Sequence, residues 1–152
     1  MLRTAGFLVF LAGPAWACPD YNAVGYSIDV SGIGLGKPLQ YTIIAGGDGY
    51  LSHCNITLAD ERGDGYFPAT PHLSLTLRDM AYQRVSITAE AVDCDTSLLV
   101  NAPDTQWFFN DDAGYSFNPQ IKFVQVFDGK MDIWVGTFDG HRCEALLTIQ
   151  NY

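Results

Sequence analysis

The pattern that most limits this chain is an alternation of apolar and polar residues that recurs along most of its length. It is clearest in Leu73-Ser74-Leu75-Thr76-Leu77, in Val85-Ser86-Ile87-Thr88-Ala89, and in Ile121-Lys122-Phe123 running on to Val126. Tyr41 to Ala45, Leu98 to Val100, Ile133 to Val135 and Cys143 to Ile149 repeat it. A period of two puts successive side chains on opposite faces of an extended strand, whereas a helix needs a period of 3.6. Turn formers fall between these stretches: Gly46-Gly47-Asp48-Gly49, Gly63-Asp64-Gly65, Ala102-Pro103-Asp104, Asp111-Asp112-Ala113-Gly114, Asp128-Gly129 and Asp139-Gly140. About eight to ten short strands so divided predict an all-β fold, an antiparallel two-sheet β-sandwich of jelly-roll type. A faint internal echo, Gly65-Tyr66 with Pro71 and Leu73 against Gly114-Tyr115 with Pro119 and Ile121, would suit two similar halves.

A length of 152 residues suffices for one core of this kind. Residues 1–17 stand apart. Arg3 precedes the apolar run Gly6 to Gly13, and Ala15-Trp16-Ala17 is a small-x-small cleavage pattern. The segment reads as a secretory signal peptide, leaving 18–152 as the sandwich domain. The apolar run is shorter than the roughly 20 residues of a membrane span, and no later uncharged segment approaches that length. The expectation is a soluble chain with no membrane span, secreted or periplasmic. A lipid-modified Cys18 is the rival reading, although Ala15 stands where lipoprotein signals usually place Leu.

Cys18, Cys54, Cys94 and Cys143 all follow the leader, and an even count in an exported chain favours disulfides. Without a C-x-x-C pair, zinc ribbons and thioredoxin-like redox chemistry are disfavoured. Of the three pairings, Cys18–Cys54 and Cys94–Cys143 are expected. The first would staple the N-terminal segment to the body, and the second would tie a middle strand to the last one.

Once Arg3 is removed, seven Lys and Arg face 17 Asp and Glu, a net charge of −10. Nucleic acid and anionic membrane surfaces would repel such a chain. Gly32-Ile33-Gly34-Leu35-Gly36-Lys37-Pro38 is no phosphate loop, because Pro38 replaces the hydroxyl that binds magnesium and the upstream glycine is missing. No Gly-x-Ser-x-Gly elbow is present, and His53, His72 and His141 fall in no peptidase signature. Nor do those histidines share a metal-ligand spacing.

Calcium is the better metal candidate, because it accepts six to eight carboxylate and carbonyl oxygens. Asp95, Asp111 and Asp112 are the candidate ligands, with Asp93 and Asp104 as further donors if the loops meet at one end. The bland alternative is that Asp111 and Asp112 cap a turn through side-chain to backbone hydrogen bonds, leaving φ > 0 to Gly114. Aromatic residues make up 13% of the chain. Trp134 is expected in the core, whereas Trp107, beside the acidic turn, is the candidate to stack on a sugar ring or a flat side chain. Asn55-Ile56-Thr57 matches a glycosylation sequon.

Together, "CDTSLLVNAPDTQWFFNDD" from Cys94, "NPQIKF", "DGKMDIWVGTF" and "CEALLTI" resemble the bacterial pre-peptidase C-terminal domain. The resemblance rests on Leu98 to Asn101, Pro103-Asp104, Trp107, Asp111-Asp112, Trp134 to Phe138 and Cys143 to Ile149. "AGGDGYLSHC" and "GYFPATPHLSLTL" are similar to the first half of stand-alone exported relatives, with His72-Leu73 departing from the usual Asp-Phe. The resemblance implies a β-sandwich accessory module without catalytic residues, some relatives of which bind calcium or matrix proteins. The leading expectation is a non-catalytic exported accessory or binding module with no required cofactor, calcium-assisted at most, whose partner is a protein or carbohydrate. Its rivals are a small hydrolase that pairs Asp111 or Asp112 with Asp95, and a purely structural envelope protein.

Overall fold

The computed structural model describes residues 17–59, 62–114 and 116–152. The proposed leader, residues 1–17, lies outside them except for Ala17. The described residues form eleven strands, in chain order: β1 (Tyr26–Ser31), β2 (Leu39–Ala45), β3 (Gly49–Tyr50), β4 (Tyr66–Phe67), β5 (Leu73–Arg78), β6 (Val85–Glu90), β7 (Thr96–Asn101), β8 (Trp107–Asn110), β9 (Gln120–Phe123), β10 (Gly129–Thr137) and β11 (Cys143–Asn151). They form an all-β sandwich of two sheets. The larger runs β1-β5-β10-β4-β3, with β7 also paired to β10 and β8 to β7; the smaller runs β2-β11-β6-β9. Ladders between the strands are antiparallel except for β1 with β5, which is parallel from Tyr26↔Leu73 to Ser31↔Arg78. The two glycine-proline echoes lead into different sheets, to β5 in the larger and β9 in the smaller, so they do not mark equivalent halves.

Alternation explains the space between the sheets. Leu73, Leu75 and Leu77 of β5 and Met131, Ile133 and Val135 of β10 are buried there. They belong to one cluster with Val85, Ile87 and Ala89 of β6 and Ala145, Leu147 and Ile149 of β11. Two stretches are apolar on both faces. In Leu98-Leu99-Val100 and Ile133-Trp134-Val135, the odd member points away from the sandwich and is also buried. Leu99 and Trp134 join Leu51, Phe67 and Phe109 in a second cluster on the outer face of the larger sheet, flanked by Ile56, Leu58 and Trp107. Phe67 lies so close over Gly136 that an added Cβ would come within 2.6 Å of its ring, so this position requires glycine.

The second cluster is roofed by the N-terminal segment and by the excursion between β3 and β4. Cys18 and Cys54 join these two covers, with Cα atoms 5.6 Å apart. Trp134 donates its indole N–H to the Ala69 carbonyl (3.2 Å), and the Tyr21 ring meets Trp107 edge-on. A polar chain centred on buried Asp132 and Ser74 fixes the segment further. Lys130 pairs with Asp132 (2.9 Å), Asp132 accepts from the Ser74 hydroxyl (2.6 Å), and Ser74 accepts from Gly25 N (3.0 Å).

His72 closes the seam between the sheets. β5 begins at Leu73, so Val135 of β10 has passed the end of that ladder. The His72 imidazole takes up the position, with Nδ1 accepting from Val135 N (3.1 Å) and Nε2 donating to the Ile44 carbonyl of β2 (2.9 Å). This geometry requires the neutral ring. Burial lowers its pKa below the ordinary value of about 6.5, partly opposed by the bond to Ile44.

Two outcomes are expected. Replacing Cys18 and Cys54 together by Ser should lower unfolding free energy by about 3–4 kcal/mol on the chain-entropy account, read from urea midpoints. Because the unfolded chain protonates His72 near pH 6.5 and the folded chain does so only lower, stability is full above that pH and falls as pH drops below it. Between pH 7 and 5, wild type should therefore lose more stability than the His72→Gln variant.

Candidate functional site at the acidic end

Four loops gather at one end of the sandwich, because β2, β6, β8 and β10 end there and β3, β7, β9 and β11 begin there. They are tied together covalently and by hydrogen bonds. Cys94 and Cys143 form the second disulfide, with Cα atoms 6.3 Å apart. Phe138 N donates to the Asp95 carbonyl (3.0 Å), and Ala91 N donates to Asn118 Oδ1 (3.3 Å). Arg142 pairs with Asp48 (2.8 Å). Both expected disulfides thus form, as in proteins of an oxidising compartment.

Among the described residues, the turn after β8 is held by groups other than the two aspartates. Asn110 Oδ1 accepts from Gln120 N (2.8 Å), Ser116 Oγ accepts from Asn118 N (3.1 Å), and the Asn118 carbonyl accepts from Ala113 N (3.2 Å). Gly114 does supply the positive φ, at +68°. Asp111 and Asp112 cap nothing among the described residues. The amides and hydroxyl flanking the pair could have signalled this in the sequence, since Asn and Ser bond to local backbone as readily as Asp.

The pair instead contributes to an electrostatic cluster. Burial raises the Asp95 pKa, and Asp112, Asp111 and Asp139 raise it further, in that order, because each disfavours another negative charge. Asp95 Oδ1 is buried without a hydrogen-bond partner among the described residues. The fully buried Ser97 Oγ, at the start of β7, and Thr137 Oγ1, at the end of β10, are likewise without partners among the described residues. Asp95 borders an open depression of about 450 Å³ whose lining also includes Val92, Asp93, Phe117 and Asn118. Val92, Phe117 and nearby Phe138 are exposed.

The candidate calcium ligands Asp95, Asp111 and Asp112 therefore share one end and one field. Among the described residues no group of three or more His, Cys, Asp or Glu is arranged to hold a metal ion. Asp104 lies at the other end, where its carboxylate accepts from Gln106 N (3.2 Å). Trp107 stands at the far end of β8 from Asp111, half-buried, with its ring 5.1 Å from that of Trp134.

Because the folded state holds the Asp95 proton more tightly than the unfolded chain, the cluster loses stability as pH rises from the ordinary carboxylate range through the raised pKa. Asp95→Asn should melt at or above the wild-type temperature at pH 7, with the difference closing toward pH 3. Comparison with known proteins finds no family model, no curated protein and no solved structure that matches this chain.

Proposed function

We propose that this chain is a non-catalytic, exported binding module whose working surface is the acidic end, and that the surface takes a ligand bringing positive charge, calcium being the simplest. One observation carries the reading. Asp95 is partly desolvated among Asp112, Asp111 and Asp139, with a buried oxygen left without a hydrogen bond among the described residues. Such an arrangement destabilises the empty fold, and a cation would relieve it. The second disulfide holds the loops that carry Asp95 and Asp139, so the carboxylates cannot simply spread apart. The resemblance of Leu98 to Asn101, Asp111-Asp112 and Trp134 to Phe138 to the pre-peptidase C-terminal domain points the same way. Export is supported by the two cystines and by the leader-like residues 1–17.

The raised Asp95 pKa beside an open depression also favours a second reading, a carboxylate-dependent hydrolase in which Asp95 is the acid and Asp111 or Asp112 its partner. Melting curves separate the two. On the binding reading, calcium raises the melting temperature, with about 2.7 kcal/mol of stabilisation at 100 times its dissociation constant, and Asp95→Asn with Asp112→Asn abolishes the shift. Unchanged melting with both calcium and oligolysine would refute it. Hydrolysis of a glycoside or ester panel that disappears in Asp95→Asn would establish the hydrolase.

A further inference from the structure

Four Asp-Gly pairs stand in the turns of this chain: Asp48-Gly49, Asp64-Gly65, Asp128-Gly129 and Asp139-Gly140. In such a pair the main-chain nitrogen of the glycine can attack the preceding side chain with little hindrance, because no Cβ stands beside that nitrogen. The attack closes a five-membered ring between the glycine nitrogen and the aspartate carboxyl carbon. A fold ordinarily prevents this by holding the two groups apart. Where each carboxylate is held therefore decides which pair can react.

Three of the four are held elsewhere. Asp48 Oδ1 is paired with Arg142 (2.8 Å). Asp128 accepts from Asp79 N (3.1 Å) and Met80 N (2.8 Å), on the turn between β5 and β6. Asp139 Oδ1 accepts from His141 N (2.9 Å), beyond its own glycine. Asp64 differs, because its Oδ1 accepts from Gly65 N itself, at 2.8 Å. The carboxyl carbon bonded to that oxygen is thus kept beside the nitrogen it would join, and ring closure starts from reacting atoms about 3–3.5 Å apart. The Tyr50 hydroxyl is hydrogen-bonded to the same side chain. Gly65 is buried and its carbonyl accepts from Leu51 N (2.9 Å), which fixes the nitrogen, whereas Asp64 is only half-buried and open to water.

We propose that Asp64-Gly65 is a site of self-modification, at which the side chain closes on the following amide to a succinimide that reopens as isoaspartate and loosens the cover between β3 and β4. In the first step the bond from Gly65 N to Asp64 Cγ forms and a carboxyl C–O bond breaks. The departing hydroxyl takes the N–H proton and leaves as water. In the second step water adds to the Asp64 main-chain carbonyl, the bond from that carbon to Gly65 N breaks, and the chain now runs through Cγ, one methylene longer. Water is the only co-reactant. The longer link must displace Gly65, which is held at φ +106° where an added Cβ would lie 3.0 Å from the Thr137 carbonyl oxygen. Phe67, two residues on, lies in the second cluster with Trp134 and would move with it. The proposal is independent of what the acidic end binds.

The test ages the full chain, recovered with both disulfides formed, in mildly acidic buffer, where carboxyls carry the proton that departs with the hydroxyl. Samples are digested, and the peptides holding the four Asp-Gly pairs are followed by mass spectrometry and isoaspartate labelling. The Asp64-Gly65 peptide should give a species lighter by one water and then isoaspartate, at least about tenfold faster than the other three. In urea the four rates should become alike. Asp64→Glu, whose ring would have six members, should give neither product. The isolated isoaspartyl form should melt below the starting protein. Isoaspartate that forms no faster at Asp64 than at Asp48, Asp128 and Asp139 in the folded chain would overturn the proposal. So would an excess at Asp64 that persists unchanged in urea, since the fold would then not be its cause. An isoaspartyl form that melts with the starting protein would overturn the loosening of the cover.

Discussion

The arrangement depends on burying the outer face of the larger sheet. A two-layer sandwich ordinarily leaves its outward faces to water, but β7 and β10 present Leu99 and Trp134 on that side, and both are fully covered. Exposing a tryptophan and a leucine on adjacent strands would forfeit several kcal/mol of hydrophobic stabilisation. The chain therefore lays its N-terminal segment and the β3 to β4 excursion across them, and the Cys18–Cys54 bridge keeps these two covers together. The other cystine serves a different purpose at the acidic end, joining the entry to β7 in one sheet with the start of β11 in the other.

Polar groups in this fold are concentrated where ladders run out. His72 completes the bonding of Val135 after β5 has ended, and Asp132 with Ser74 and Lys130 anchors the chain just before β1. Each device satisfies backbone or charge that would otherwise be buried alone, which costs more than an ordinary hydrogen bond gains. The acidic end departs from that rule most: Asp95, Ser97 and Thr137 keep buried oxygens without partners among the described residues, against Asn151 Oδ1 at the opposite end. The carboxylates around Asp95 make this end the candidate site.

Much of the sandwich is legible in the sequence because alternation is a local signal. β5, β6 and β11 fall where Leu73 to Leu77, Val85 to Ala89 and Cys143 to Ile149 place them. β9 stops at Phe123 rather than continuing to Val126, although Val126 is still buried. The apolar runs around Leu99 and Trp134 conceal a second core, because a run shows that two faces are covered without saying by what. β1 carries no comparable local signal, since its half-exposed alternation gains meaning only through parallel pairing with β5, which no local pattern encodes. The site was legible as a set of aspartates but not as an arrangement. Sequence brings Asp111 and Asp112 together, whereas only topology brings Asp95 and Asp139 beside them.

The parallel strand constrains the order of assembly. Tyr26 pairs with Leu73, and Cys18 with Cys54, so the first residues of the sandwich to leave a ribosome or a translocation pore have no partners until dozens more have followed. Parallel β1 cannot close as a hairpin with its neighbour and adds to an edge that already exists. The N-terminal stretch, although made first, therefore waits for β5 and for the β3 to β4 excursion. Trp134 and Leu99 are covered only once that stretch is in place, so a cystine joining Cys18 to Cys94 or Cys143 instead of Cys54 would hold the roof away from them.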